Sequence, residues 1–162
     1  MKNLMLSLVI LFLAGCVPAV HYSGPRSSNT ASVTLEASGL VRHVAFANDM
    51  LLIALDEGGS HGLGGIKLTT DHTQENIRVD RGRALNILFI SFQPNLGGDT
   101  QCLVNVPFVA DNSSNYIFAY STIKSACTVR ISKLSSSGSP TLVSEHPGIV
   151  RRTEVNVNVT TH

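Results

Sequence analysis

Two stretches of the chain decide its fold: residues 102–110 read CLVNVPFVA, and residues 126–134 read ACTVRISKL. In both, a series of apolar side chains at every second position starts at the cysteine, which is typical of a β-strand with one buried face. The apolar face of the first holds Cys102, Val104, Val106 and Phe108, and that of the second holds Cys127, Val129 and Ile131. Both cysteines are therefore expected to point into the core.

Short strand-like segments separated by turn residues fill the rest of the chain from residue 33 onward. They cover residues 33–37, 41–47, 50–55, 66–70, 77–80, 85–92 and 116–123. No long stretch has helical periodicity, so the pattern predicts an all-β fold, a single antiparallel β-sandwich over residues 33–144. Residues 145–162 are expected to form a C-terminal tail or an edge strand, and EVNVNVT (154–160) within them is either an edge strand or a loose end.

The N terminus has the layout of an export signal. After Lys2, residues 4–13 form an apolar run about half as long as the roughly twenty residues that a membrane-spanning helix needs. A charged start, a short apolar run and small residues after it are typical of a secretory signal peptide. We expect residues 1–15 to be cleaved, and residues 16–32, rich in proline, glycine and serine, to be a flexible tether that reaches roughly 20–25 Å.

The end of this signal, Leu13-Ala14-Gly15-Cys16, resembles the lipobox of bacterial lipoproteins. The resemblance implies a diacylglyceryl group on the Cys16 thiol and cleavage before Cys16. Two or more acyl chains hold a protein stably on a bilayer. In enterobacterial lipoproteins a residue such as Val17, rather than aspartate, favours the outer membrane, so we expect a location there, facing the periplasm. The alternative is an ordinary signal peptide with a chance cysteine.

Export bears on the two remaining cysteines, because thiols in an oxidising compartment usually pair. If residues 102–110, 116–123 and 126–134 formed a simple meander, the cysteine strands would lie about 9.5 Å apart. A disulfide tolerates a Cα separation of up to about 6.8 Å. Either the thiols are free, or one cysteine strand leaves the meander to pair with or face the other. We favour the second arrangement, a sandwich whose sheets are joined by a Cys102–Cys127 disulfide.

The composition narrows the class of partner. Without Lys2, the mature chain has equal numbers of basic and acidic side chains, so it lacks the basic surface that nucleic acid requires. Its high apolar content and low total charge indicate a folded domain. The chain has no tryptophan, three tyrosines and six phenylalanines, which gives little support to an aromatic ligand pocket.

The body itself carries a second resemblance. The turn Val79-Asp80-Arg81-Gly82 before an apolar strand, followed by the stretch Phe108–Tyr120, is similar to small bacterial lipoproteins with transthyretin-like or PEGA-like bodies. This implies an immunoglobulin- or transthyretin-like sandwich that binds or supports another envelope component, peptidoglycan or a protein assembly, through sheet edges or loops. We expect no enzymatic activity, cofactor or metal. A surface adhesin or ligand carrier, suggested by the Ser/Asn/Thr-rich loops, is an alternative.

Two short motifs raise a third hypothesis, a small periplasmic serine hydrolase. Gly58-Gly59-Ser60-His61-Gly62 matches G-x-S-x-G, but more glycines follow where a nucleophile elbow needs a helix. Ser121 and Lys124 match S-x-x-K, but they end a strand pattern and lack the companion motifs. We interpret both as chance matches, the first within a glycine-rich loop over residues 56–65.

The remaining polar residues do not form a motif. Histidines occur at His21, His43, His61, His72, His146 and His162, without the spacing of a metal site. Arg78, Arg81 and Arg83 surround Asp80 at a turn, where an anion could bind. A solvated turn with one ion pair is the commoner outcome.

Overall fold

Alternating burial along the strands organises the chain into two facing sheets. The computed structural model describes residues 21–44, 47–57, 61–95, 98–111, 114–123 and 126–154. Within these ranges the strands are β1 (Thr30–Ser38), β2 (Met50–Glu57), β3 (His61–Thr69), β4 (Gln74–Asp80), β5 (Ala84–Asn95), β6 (Gly98–Val109), β7 (Asn115–Ile123), β8 (Ala126–Leu134), β9 (Pro140–Pro147) and β10 (Ile149–Glu154). The prediction of an all-β chain is confirmed.

The strand order shows how the chain alternates between the sheets. Sheet A has the order β4-β1-β7-β8-β9, and sheet B has the order β10-β6-β5-β2-β3. Every pairing is antiparallel except that of β1 with β7, which is parallel. The expectation of an entirely antiparallel sandwich is therefore wrong at this pair. Parallel neighbours need a long connection, and here it runs through five intervening strands and four crossings between the sheets.

The core lies between the inner faces of the two sheets, and each of the strands β1 to β8 contributes buried apolar side chains to it. Phe89 and Phe118 are fully buried, and the ring of Phe108 meets that of Phe118 edge to face with centroids 4.9 Å apart. Aromatic pairs in this geometry add about 1 kcal/mol to the free energy of burial. Tyr120 is also buried, and its hydroxyl donates a hydrogen bond to Ser91 Oγ at 2.7 Å, so its polar atom is satisfied inside the core.

Two segments differ from their predicted conformation. Residues 41–44 and 47 lie outside strands, because side chains hold their backbone: Asp49 Oδ2 accepts a hydrogen bond from Val41 N at 2.9 Å. Asn48 Oδ1 likewise accepts one from His43 N at 2.9 Å. Conversely, the glycine-rich part of the expected loop, from Gly62 onward, lies in β3, where pairing with β2 includes a register shift.

The two cysteine strands belong to different sheets. Cys102 lies on β6 in sheet B and Cys127 on β8 in sheet A, and their Cα atoms are 6.4 Å apart in a disulfide. This arrangement agrees with the expectation that one cysteine strand leaves the meander to face the other. The disulfide therefore bonds the two layers of the sandwich covalently.

The sandwich continues past residue 144, where a tail or an edge strand was expected to begin. β9 runs beside β8 on sheet A, and after Gly148 the chain continues as β10 beside β6 on sheet B. The chain thus changes sheets at one glycine, as strands do at the corners of packed sheets. The boundary was missed because both faces of β9 are largely exposed, which removes the alternation from its sequence. Residues 155–162 lie outside the described residues.

Gly148 makes this sheet change by passing directly over the disulfide. Its amide donates a hydrogen bond to Cys127 O at 2.8 Å. A Cβ atom at this position would collide with the sulfur of Cys127, lie 2.6 Å from that of Cys102 and lie 2.8 Å from Val104 Cγ2. Only glycine lets the backbone approach the sulfur atoms this closely.

We predict that Gly148→Ala lowers the free energy of unfolding by about 2–3 kcal/mol, because the new methyl group overpacks the corner. Urea denaturation of the chain from Val17 onward measures this. The matched control is Gly62→Ala in β3, where an added Cβ meets nothing within 4 Å, and its effect should stay within about 0.5 kcal/mol. In a background with both cysteines replaced by alanine, the cost of Gly148→Ala should fall below about 1 kcal/mol. An unchanged cost would contradict the assignment to the sulfur atoms.

Candidate functional site

The turn between β4 and β5 organises the site, because three successive residues there have different roles. β4 ends at Asp80, Arg81 and Gly82 follow, and β5 begins at Ala84 on the other sheet. Gly82 has φ = +69°, a left-handed conformation that favours glycine. Its amide donates a hydrogen bond to Ala110 O at 2.8 Å. The turn therefore presents the Asp80 and Arg81 side chains in a fixed arrangement.

The Asp80 carboxylate binds the segment that enters the body from the N terminus. We call residues 21–29 the N-terminal strap. Asp80 Oδ2 accepts a hydrogen bond from Arg26 N at 3.0 Å, and Oδ1 accepts bonds from Ser27 N at 2.9 Å and Ser27 Oγ at 2.7 Å. Since hydrogen bonds to a charged group are stronger than neutral ones, this carboxylate holds the strap at one point.

The environment of Asp80 has two opposing effects on its pKa. Burial would raise the pKa, but the hydrogen bonds from the Ser27 hydroxyl and the amides of Arg26 and Ser27, together with the Arg83 charge, outweigh it. The net result is that the pKa of Asp80 is lowered and the carboxylate stays ionised at neutral pH. The charged form is the one that accepts all three bonds from the strap.

Arg81 joins three parts of the backbone. Its Nε donates a hydrogen bond to Thr30 O at 2.8 Å, and its Nη1 donates to Asp111 O at 2.5 Å and Ser114 O at 3.0 Å. The Arg81 amide also donates to Asn29 O at 3.0 Å. The guanidinium is therefore engaged with carbonyl groups of the protein itself.

The arginines around Asp80 do not converge on one anion site. Arg83 pairs with Glu57 at 2.5 Å, and Arg26 of the strap pairs with the same carboxylate at 3.3 Å. Arg78 is exposed on β4. The structure is therefore closer to the second expectation for this turn, a solvated turn with an ion pair, than to an anion site. The ion pairs differ from that expectation in that they link distant parts of the chain.

The first residues of the strap bridge the edge strands of both sheets. Tyr22 Oη donates a hydrogen bond to Arg78 O on β4 at 2.5 Å, and Ser23 N donates to Leu63 O on β3 at 2.9 Å. Burial, and secondarily the Asp80 charge, raises the pKa of Tyr22 to about 12, so the phenol keeps its proton and donates. The strap thereby covers the gap between β3 and β4 and caps the core on that side.

A glycine lets the strap lie close to β3. Gly64 has φ = +104°, and a Cβ atom there would collide with the carbonyl oxygen of His21. A flexible tether was expected over residues 16–32, of which residues 16–20 lie outside the described residues. In the remaining part the structure differs from this expectation, because residues 22–29 are bound to the body and β1 begins at Thr30. The sequence contains both partners of this attachment, Asp80 and the stretch around Ser27. No local sequence pattern indicates that they bind each other.

The structure does not describe the expected lipidation residue or most of the G-x-S-x-G motif. Cys16 and Ser60 lie outside the described residues, as does Lys124. Ser121 lies on β7, where its Oγ is 3.0 Å from Thr128 Oγ1 on β8. The structure therefore places Ser121 in a contact between strands rather than at the start of a helix.

The histidines are dispersed. His43 Nε2 lies 2.8 Å from Asp49 Oδ1, and His72 Nε2 lies 2.7 Å from Glu75 Oε2. The described part of the chain contains no cluster of three or more metal-ligating side chains. His162 lies outside the described residues.

One contact that the sequence did not indicate is a serine–histidine pair on β9. Ser144 Oγ lies 3.1 Å from His146 Nε2. The two residues are neighbours because side chains at i and i+2 share a face of a strand. Among the described residues, no carboxylate contacts His146, so the third group of a catalytic triad does not orient this imidazole.

Sheet A has a shallow depression at one end. It has a volume of about 200 Å³ and is lined by Glu36, Ala37, Ser38, Thr73, Gln74, Ala119 and Tyr120. Pockets for small ligands usually have volumes of about 300–1,000 Å³. This depression is therefore a weak candidate for the ligand-carrier hypothesis.

Comparisons with known proteins returned no match to any family model, curated protein or solved structure. Within the described ranges, no helix has the length and apolar character needed to span a membrane. The distinctive site in the described residues is thus the attachment of the strap to Asp80, Arg81 and the edge strands.

We predict that Asp80→Asn lowers the free energy of unfolding at pH 7 by about 2 kcal/mol, because the carboxylate accepts three hydrogen bonds. Because the pKa is lowered in the folded state, this stabilisation is present above the unfolded pKa near 4 and is lost as pH falls through the folded value. The difference between wild type and variant should therefore be constant above about pH 5 and shrink below about pH 4, measured by urea denaturation. Asp71→Asn is the control, since Asp71 forms an exposed pair with Arg42. A difference that grew on acidification would contradict this assignment.

Proposed function

We propose that the chain is a lipid-anchored protein of the bacterial cell envelope whose β-sandwich, without enzymatic activity, binds or supports another envelope component. The observation that carries this proposal is the sequence Leu13-Ala14-Gly15-Cys16 after a short apolar run. Acyl chains on Cys16 would hold the sandwich at a membrane, and Val17 favours the outer membrane, facing the periplasm. The disulfide between the sheets supports this location, because such bonds persist in oxidising compartments.

We also propose a transthyretin-like rather than an immunoglobulin-like body. In the immunoglobulin order the first two strands share a sheet, whereas here β1 and β2 lie in different sheets. The orders β4-β1-β7-β8 and β3-β2-β5-β6, with β1 and β7 parallel, support the transthyretin-like alternative. β9 and β10 are then additions at one edge of each sheet.

The added strands are our candidate for the surface that binds a partner. β9 is an edge strand of sheet A, and its side chains Leu142 and Val143 are 57% and 58% exposed. Ile149, at the start of β10, is 67% exposed. An unpaired edge with apolar side chains can accept an extended segment of another protein as a further strand. We therefore place a protein partner of the envelope, rather than a small ligand, at this edge.

Lipidation is tested on the residue that would carry it. Wild type expressed in bacteria should incorporate radioactive palmitate and remain with the membrane fraction, because at least two acyl chains bind a bilayer stably. Cys16→Ser should lose both properties, while Cys102→Ser should retain the label. Absence of palmitate from wild type, together with membrane association of Cys16→Ser, would falsify the proposal.

The partner surface is tested by photo-crosslinking in intact cells. Replacing Val143 by p-benzoylphenylalanine should give an adduct of defined mass, because Val143 lies on the proposed edge. The matched control is the same replacement of Ile123, which is 68% exposed on β7. Leu142→Asp should remove the Val143 adduct, since a charge at the edge opposes strand addition. Equal adducts from both positions would count against this surface.

A further inference from the structure

We infer that the side of the sandwich formed by β3 and β4 is the one that faces the lipid head groups. This inference rests on the proposed lipidation of Cys16, and it adds an orientation of the body relative to the bilayer. We call this side the strap side. The opposite side, formed by β9 and β10, is called the far side.

The strap determines how much chain separates the anchor from the body. His21 and Tyr22 lie at β3 and β4, as the contact of Gly64 with His21 and the hydrogen bond of Tyr22 to Arg78 show. Cys16 is five residues before His21, and five residues span at most about 18 Å when fully extended. The body therefore cannot move further than this from its anchor while the strap is bound.

The point where the chain leaves the body selects the side that is closest to the membrane. A tether continuing to residue 32 would let the sandwich rotate well clear of the bilayer. With the strap bound, the chain leaves at one lateral edge, between sheets A and B. The four strand spacings of a five-stranded sheet put the far side about 19 Å from this edge. The tether is too short to bring both sides equally often to the head groups.

Several independent contacts keep the strap in place. Asp80 accepts three hydrogen bonds from Arg26 and Ser27, and Arg26 also pairs with Glu57. Ser23 adds two hydrogen bonds to Leu63 O, from its amide and its hydroxyl. These contacts are spread along the strap, so loss of any one of them leaves the exit point in place.

The orientation also has a consequence for partner binding. The exposed Leu142, Val143 and Ile149 lie on the far side. When the strap side faces the head groups, this edge points away from the bilayer and into the aqueous compartment. The attachment to the lipid anchor and the proposed partner surface therefore lie at opposite lateral edges of the sandwich.

The test measures the proximity of each side to lipid head groups. p-Azidophenylalanine replaces one exposed residue at a time and carries a fluorophore: Lys67 or Arg78 on the strap side, and Leu142 or Arg151 on the far side. The lipidated full-length mature protein is reconstituted in phosphatidylethanolamine vesicles that contain a lipid with a short-range spin quencher on its head group. Because of the roughly 19 Å between the edges, strap-side labels should be quenched at least about twofold more strongly than far-side labels.

The control keeps the strap intact and lengthens only the tether. Twenty Gly/Ser residues inserted between Val20 and His21 should reduce the strap-side excess to near unity. The inference would be overturned if both sides of the wild-type chain were quenched equally, or if the labels at Leu142 or Arg151 were quenched more strongly. It would also be overturned if the insertion left the strap-side excess unchanged.

Failure of lipidation is distinguished from failure of the orientation. If the protein from bacteria lacks lipid, Cys16 is a free thiol and is coupled to a maleimide lipid before reconstitution. The same comparison of labels then decides the orientation. Palmitate incorporation, together with the membrane association of Cys16→Ser, decides the proposed anchor.

Discussion

The covalent bond between Cys102 and Cys127 is the constraint on which the architecture depends. It ties β6 of one sheet to β8 of the other, and the chain crosses from β9 to β10 directly above it. In the unfolded chain, closing a loop of this size reduces conformational entropy and stabilises the fold by about 3 kcal/mol on the chain-entropy account. For a domain of this length, that is a large share of the total stability. The same bond fixes the spacing of the layers that the aromatic core fills.

The two sheets are connected along both of their lateral edges, in two different ways. On one side, the chain passes through Gly148 from β9 in sheet A to β10 in sheet B. On the other, the N-terminal strap bridges β3 and β4 through Ser23 and Tyr22. Edge strands expose unpaired backbone groups and invite aggregation, and the strap covers the opening between two of them.

The sequence predicted much of the fold but little of the site. The apolar faces of residues 102–110 and 126–134 each hold one cysteine, and the expected export favoured a disulfide between them. Given that disulfide, the spacing of strands and the disulfide geometry favoured a sandwich whose sheets meet at these strands over a meander. The parallel pairing of β1 with β7 was not predicted, since strand direction across sheets depends on the full path of the chain. β9 was missed because both of its faces are exposed.

The strap was missed for a related reason. Residues 21–29 are rich in small polar side chains, which locally favour irregular structure. Their order comes from distant contacts, including those with Asp80 more than fifty residues away, and long-range polar contacts of this kind leave no periodicity in the sequence. The motif Val79-Asp80-Arg81-Gly82 was recognised as a turn, but its two charged side chains turned out to bind backbone groups of the protein itself.

The change of sheets at Gly148 also couples the fraying of the two layers. In an ordinary sandwich, an outermost strand can peel away from its own sheet at little cost to the other. Here, detaching β9 from β8 pulls on the residues that pair β10 with β6, and the reverse is equally true. Amide hydrogens along residues 140–154 are therefore expected to exchange with solvent in one cooperative opening rather than in two.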